Sequence, residues 1–277
     1  MRNSLLVTLL LIPSLLFARE RVTVKGRIIN EKGDGIEYVQ LGVPKLQIGD
    51  ISNADGRFEI DMPCDTLEFF HVSYQRAAFP VTGPADDVVI VLREQELPPA
   101  IFIGGDTKEK YLLKPGTGVL KSMGIITTSI QSGHPSGREI GSVARAKKPF
   151  LVKDILLTVR SNHIPGCVAS INIYRIEGKN ESFVNVLHKP IYFDVAVSND
   201  PQDYDIRPEE TLLLEPGKYF IAFQIVGCNN EALQESLEMS IDFDIYLKSS
   251  FVREVALGEM EHLPFNIGVA VKGLEYR

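Results

Sequence analysis

The chain has 277 residues, 44% hydrophobic and 23% charged, a balance that excludes the disordered and fibrous classes. Its 29 basic and 36 acidic residues give a net charge of −7, which repels phosphate backbones and counts against nucleic acid as a partner. The length suffices for one large or two modest domains, each with its own core.

Met1 to Ala18 reads as a secretory signal: Arg2 supplies the positive start, Leu5 to Leu16 the apolar core and Ala18 the small residue at the cut. The apolar run is shorter than the ~20 residues a spanning helix needs. No cysteine follows it to carry a lipid anchor, and no second long apolar run occurs. The mature chain is therefore expected to be exported without a transmembrane segment, and to be periplasmic, outer-membrane-associated or at the cell surface.

Between residues 22 and 93, short runs alternate with period two and turns punctuate them. Val22–Ile28, Tyr38–Val43, Leu46–Ile51, Arg57–Asp61, Thr66–Val72, Gln75–Val81 and Val88–Leu92 make seven strands, the spacing of a small sandwich. Asn53-Ala54-Asp55-Gly56 reads as a hairpin turn between two of them. An EF-hand placed on Asp55-Gly56 would put its first ligand at Ile51 and its last at Met62, neither of which binds calcium.

Val22-x-Val-x-Gly-Arg-Ile-Ile-x-x-x-Gly-x-Gly-Ile36, then Asn53-Ala-Asp-Gly-Arg-Phe58, Leu67-Glu-Phe-Phe-His-Val-Ser-Tyr74 and the closing Val88-Val-Ile-Val-Leu92 resemble a carboxypeptidase D regulatory-like domain. The resemblance implies a seven-stranded, transthyretin-like sandwich serving as an accessory module. In many envelope proteins of Gram-negative bacteria such a module precedes another surface domain. It implies no catalytic residue. A metallocarboxypeptidase needs a His and a Glu at zinc-binding spacing, and none of His71, His134, His163, His188 and His262 has a Glu three residues downstream.

Residues 94–116, punctuated by Pro98, Pro99, Gly104, Gly105, Pro115 and Gly116, read as a linker. Residues 117–277 read as a larger two-sheet, jelly-roll-like sandwich, so the whole chain is expected to be all-β. Tyr219–Val226 is apolar on both phases, as a central strand covered on both faces should be. Ala169, Ile171 and Ile173 against Ser170, Asn172 and Tyr174 predict a half-buried strand. Leu237 to Leu247 alternates most regularly of all. Asn172-Ile173-Tyr174 and Pro216-Gly217-Lys218-Tyr219-Phe220 resemble the C-terminal domain that follows the module in envelope proteins of unknown function.

Glu238, Asp242 and Asp244 fall on one face of the 237–247 strand, ~7 Å apart at i, i+2, and form a candidate cation or sugar face. Cys167 and Cys228 are a candidate disulfide if their strands are antiparallel neighbours. No nucleophile elbow, phosphate loop or Cys-x-x-Cys occurs, and no cofactor or metal is expected. The residues point to a non-catalytic, exported accessory or recognition protein that binds an envelope protein or a surface glycan. The alternative is a polysaccharide hydrolase drawing a carboxylate pair from Asp194, Asp203, Asp205 and Glu209.

Overall fold

A computed structural model describes residues 20–96, 104–114, 126–129, 136–229 and 240–276, and the chain is all-β. The first seven strands are β1 (Arg21–Ile29), β2 (Gln40–Val43), β3 (Ile48–Ile51), β4 (Arg57–Pro63), β5 (Thr66–Phe70), β6 (Ala77–Pro80) and β7 (Ala85–Val91). They form a three-stranded sheet, β4-β1-β7, facing a four-stranded one, β3-β2-β5-β6. Alternation dictates the packing: Val24, Ile28, Phe58, Ile60, Met62, Leu67, Phe69 and Ile90 point inward and share one core.

The Asn53–Gly56 turn is not a hairpin. It joins β3 and β4, which belong to different sheets. Asn53 Oδ1 accepts from the N–H groups of Asp55 (3.0 Å) and Arg57 (2.8 Å), and Gly56 takes φ 76, where a Cβ is costly. The Gly56 carbonyl then accepts from Ile28 N–H at 2.8 Å, which redirects the chain onto β1. A local turn motif is the same for a hairpin and a corner, so only pairing with a distant strand separates them.

The second region contains β8 (Thr107–Leu113), β9 (Ile126–Ser129), β10 (Glu139–Ala146), β11 (Phe150–Asn162), β12 (Cys167–Glu177), β13 (Ser182–Asn185), β14 (Tyr192–Val195), β15 (Gln202–Ile206), β16 (Leu212–Leu214) and β17 (Gly217–Gly227). It closes with β18 (Ser240–Phe243), β19 (Ile245–Tyr246), β20 (Ser250–Arg253), β21 (Met260–Leu263), β22 (Asn266–Ile267) and β23 (Val269–Tyr276). One sheet runs β13-β12-β17-β10-β20-β21 and the other β8-β23-β11-β18-β9. Ile171, Ile173, Ile221, Phe223 and Ile225 of the first meet Ile155, Leu157, Val159 and Val271 of the second in the largest core.

Two boundaries differ from expectation. β8 lies inside the stretch read as a linker: it pairs with β23 and is held by Lys110–Glu275 (2.7 Å) and Lys272–Glu109 (2.9 Å). An exposed edge strand needs little apolar sequence, so its charges resemble those of a linker. The 237–247 run is broken at Asp244, with β18 and β19 in separate sheets, and residues 237–239 lie outside the described residues.

The two sandwiches share an extensive seam. Val72 joins the core of the second sandwich, while Ile51, Val226 and Ala256 form a cluster that also takes in Tyr38 and Tyr192. Gly49 lies so close to Ala256 that a Cβ there would be 2.1 Å from the Ala256 carbonyl oxygen.

Candidate functional site

β17 is buried on both faces, as its two-phase apolar pattern requires. One face fills the large core. The other carries a polar row that crosses the sheet strand by strand. Arg253 on β20 lies opposite Glu139 on β10, Glu139 opposite Gln224 on β17, Gln224 opposite Ser170 on β12, and Ser170 opposite Tyr192 on β14. Glu139 is 0% exposed and Gln224 1%. Burying a carboxylate is tolerable only with hydrogen bonds and an opposite charge. Glu139 Oε1 accepts from Asn172 Nδ2 (2.6 Å) and Tyr174 OH (2.7 Å), and Oε2 lies 3.2 Å from Arg253 Nη1. Asn172 Nδ2 also donates to Gln224 Oε1 at 2.9 Å. Burial, with Glu139 beside it, holds the Tyr174 phenol far above its ordinary pKa.

The first sandwich lands on this row. Gln40 Nε2 donates to Gln224 Oε1 at 3.3 Å, Ser73 Oγ donates to the His188 carbonyl at 3.0 Å, and the Tyr38 and Tyr192 rings meet edge to face at 5.2 Å. The Ser73 N–H donates to His71 Nδ1 (3.2 Å), which leaves the ring proton on Nε2, 3.3 Å from the Tyr192 hydroxyl. Burial lowers the His71 pKa to about 4 and raises that of Tyr192. The cavity at the join is about 20 Å³, large enough for one water, and Gln40, whose buried Oε1 has no hydrogen-bond partner, lines it. Desolvated titratable groups often mark reactive sites, but these face one another across a closed seam.

A more open cleft, of about 530 Å³, lies on the first sandwich, beside β1, β4 and β7. Lys25, Arg27, Arg57, Asp50, Glu59 and Asp87 bring both signs of charge to its lining. Lys25 and Glu59 lie opposite each other and pair at 2.9 Å, and Arg27 lies opposite Arg57. Arg27 Nε is held by the Asp55 carbonyl at 3.0 Å, which ties this wall to the Asn53–Gly56 turn.

The residues anticipated from sequence are not brought together. Asp242 accepts from Ser161 Oγ (2.6 Å), and Asp244 is buried against Arg160 Nε (2.6 Å), so both carboxylates are tied to β11. The strand breaks between β18 and β19, so Asp242 and Asp244 do not share one regular strand face, and Glu238, the third residue of the candidate face, lies outside the described residues. Asp194 is on β14, paired in one sheet. Asp203 and Asp205 are on β15, paired in the other, where Asp203 accepts from Thr158 (2.6 Å) and Asp205 lies 3.8 Å from Arg207; Glu209 is exposed. Cys167 and Cys228 flank the Val168–Gly227 pair without a disulfide between them, and burial pushes their pKa values up to about 12 and about 11. Among the described residues no group of three or more His, Cys, Asp or Glu is placed to hold a metal ion, and no helix is long and apolar enough to cross a membrane.

Glu139, Arg253, Gln40 and His71 had no advance signal as a set. Gln224, a lone amide inside an apolar run, was the one legible hint that the outer face of β17 meets polar partners.

No family model and no curated protein matches the chain. Among solved structures it is similar to a DUF3823 family protein from Parabacteroides merdae, at 8% identity and a TM-score of 0.21, over 89% of this chain and 98% of that one. A DUF3823 family protein from Bacteroides ovatus matches at 11% identity and a TM-score of 0.22, over 83% of this chain and all (100%) of that one. The clostridial cysteine protease Cwp84 matches at 9% identity and a TM-score of 0.36, and this chain spans about half (52%) of its length.

Proposed function

We propose that the protein is an exported, non-catalytic recognition protein of a bacterial envelope. In this reading a regulatory-like sandwich and a second sandwich act as one rigid unit, and the charged cleft of the first binds another envelope protein. The observation that carries it is the seam: the strongly desolvated His71 and Tyr192 meet each other across it at 3.3 Å, with a cavity of about 20 Å³ beside them, and the desolvated Tyr174 is committed to Glu139 within the second sandwich. The seven strands in two facing sheets support the regulatory-like reading of residues 22–93. Export rests on the Met1–Ala18 pattern.

A protein partner is favoured over a glycan by the cleft's lining. Charges of both signs suit a peptide surface, whereas sugar sites rely on exposed aromatic platforms, and Phe58, the aromatic residue in the lining, is buried. The test is binding of the purified mature chain to envelope vesicles from its own source. Protease treatment of the vesicles should abolish binding and periodate oxidation should leave it intact. Charge reversal at Arg57, which is exposed, should weaken it. The opposite pattern would make the ligand a glycan, and hydrolytic turnover by the mature chain would overturn the non-catalytic reading.

A further inference from the structure

Val89 and Val91 are 60% and 51% exposed, and they stand next to each other on the outer face of β7. The other large hydrophobic side chains exposed among the described residues, Val184, Val197 and Leu247, are scattered singly. β7 is also the edge of its sheet: the order is β4-β1-β7, with no described strand beyond it. Edge strands are ordinarily blunted by lysine or proline, and Ala85–Val91 contains neither. The Leu92 N–H donates to the Ile29 carbonyl at 2.9 Å. By strand alternation, Val89 and Val91 turn their backbone groups away from β1.

We propose that two copies of this chain associate through β7, antiparallel about a twofold axis at Ile90, giving one continuous sheet β4-β1-β7-β7-β1-β4. This goes beyond the recognition reading and does not depend on it. The occupant is set by the charge order along the strand. Asp86 and Asp87 stand at its start and Arg93 just past its end, all exposed. Antiparallel self-pairing brings the acidic doublet of each copy to Arg93 of the other, while a parallel arrangement would stack like charges. In that register Val89 of one copy lies opposite Val91 of the other, so the pair exchanges backbone hydrogen bonds and four valines form one outer row. The ladder stops where it should. Asp87 sits at φ 58 in a bulge, where Val24 pairs with Ala85 but Gly26 with Val88, so the regular edge runs from Val88 to Leu92. A twofold contact uses both copies' edges and closes the assembly at two chains.

Sedimentation equilibrium of the mature chain over a wide concentration range tests this. Wild-type protein should show a monomer–dimer equilibrium, and Val89→Lys should weaken it about tenfold or more, since a lysine now sits in the valine row. Arg93→Glu and Asp87→Arg should each weaken association, and the double reversal should restore it. Both side chains are exposed, the Arg93 side chain makes a long 3.7 Å contact with Glu31, and the bond from Gln75 N–H to the Arg93 carbonyl is a backbone one that the substitution keeps, so folding should survive, as circular dichroism would verify. A chain that stays monomeric throughout, association indifferent to Val89→Lys, or a double reversal that fails to restore pairing would each overturn the proposal.

Discussion

The two sandwiches each have a sheet face turned away from their own core, and those faces have opposite fates. On β10, β12 and β17 that face carries Glu139, Asn172 and Gln224, all buried, because aromatic side chains and the other sandwich cover it. On β1, β4 and β7 it carries Lys25, Arg57, Glu59 and Val89 and lies open. Alternating sequence alone describes both. Burial changes what a charge costs: on the covered face a polar group left without a partner is expensive, whereas the open face leaves its groups to water.

The sharpest break in this contrast is Glu139→Ala. It strands Arg253, whose side chain is 11% exposed, and removes the acceptor for Asn172 and Tyr174. Losing one partner of a buried pair costs about 3 to 5 kcal/mol, so urea unfolding should shift markedly or the variant should fail to accumulate. The double variant Glu139→Gln with Arg253→Met should recover much of the loss, since no charge is then left unpaired. Equal damage in both would mean that the row works through shape rather than charge.

The seam itself is broken next by Gly49→Val. The new side chain would meet the Ala256 backbone, with the Cβ 2.1 Å from its carbonyl oxygen, and overpacking of this kind costs about 1 to 3 kcal/mol. Limited proteolysis should then cut between the sandwiches faster than in the wild type.

His71 makes the seam pH-sensitive. Burial depresses its pKa from 6.5 to about 4, so below pH 6.5 the unfolded chain takes up a proton that the folded chain refuses. Stability is therefore full above pH 6.5 and falls as the pH drops toward 4, by up to roughly 3 kcal/mol. Denaturation midpoints at pH 7.5 and 4.5 should differ in the wild type. The difference should shrink in His71→Phe, which cannot titrate, even though that variant loses the contact with Tyr192.

How far the sequence reached follows the same divide. Period-two alternation and turn residues located all seven strands of the first sandwich, because each reports on a face local to its own strand. It misread the Asn53–Gly56 corner and the 94–116 stretch, where the deciding partners, β1 and β23, lie far away in the chain. The polar row was illegible for the same reason. Its members come from β10, β12, β14, β17 and β20, and only sheet register aligns them. Asp242 and Asp244 looked like a ligand face because the sequence does not show Ser161 and Arg160 across from them.

The smallest effect belongs to the open face. Lys25 and Glu59 pair at 2.9 Å, with 48% and 55% of their side chains exposed, a closer approach than the 3.2 Å of Glu139 and Arg253. Distance alone would rank the surface pair as the stronger. Water and salt screen it, however, and two long side chains must be held still to form it. Lys25→Ala should accordingly leave the urea midpoint unchanged within error, and added salt should erase any residual difference. If Lys25→Ala destabilised the chain as much as Glu139→Ala, the first sandwich's outer face would have to be covered in solution, and its charges would answer to burial as the seam's do.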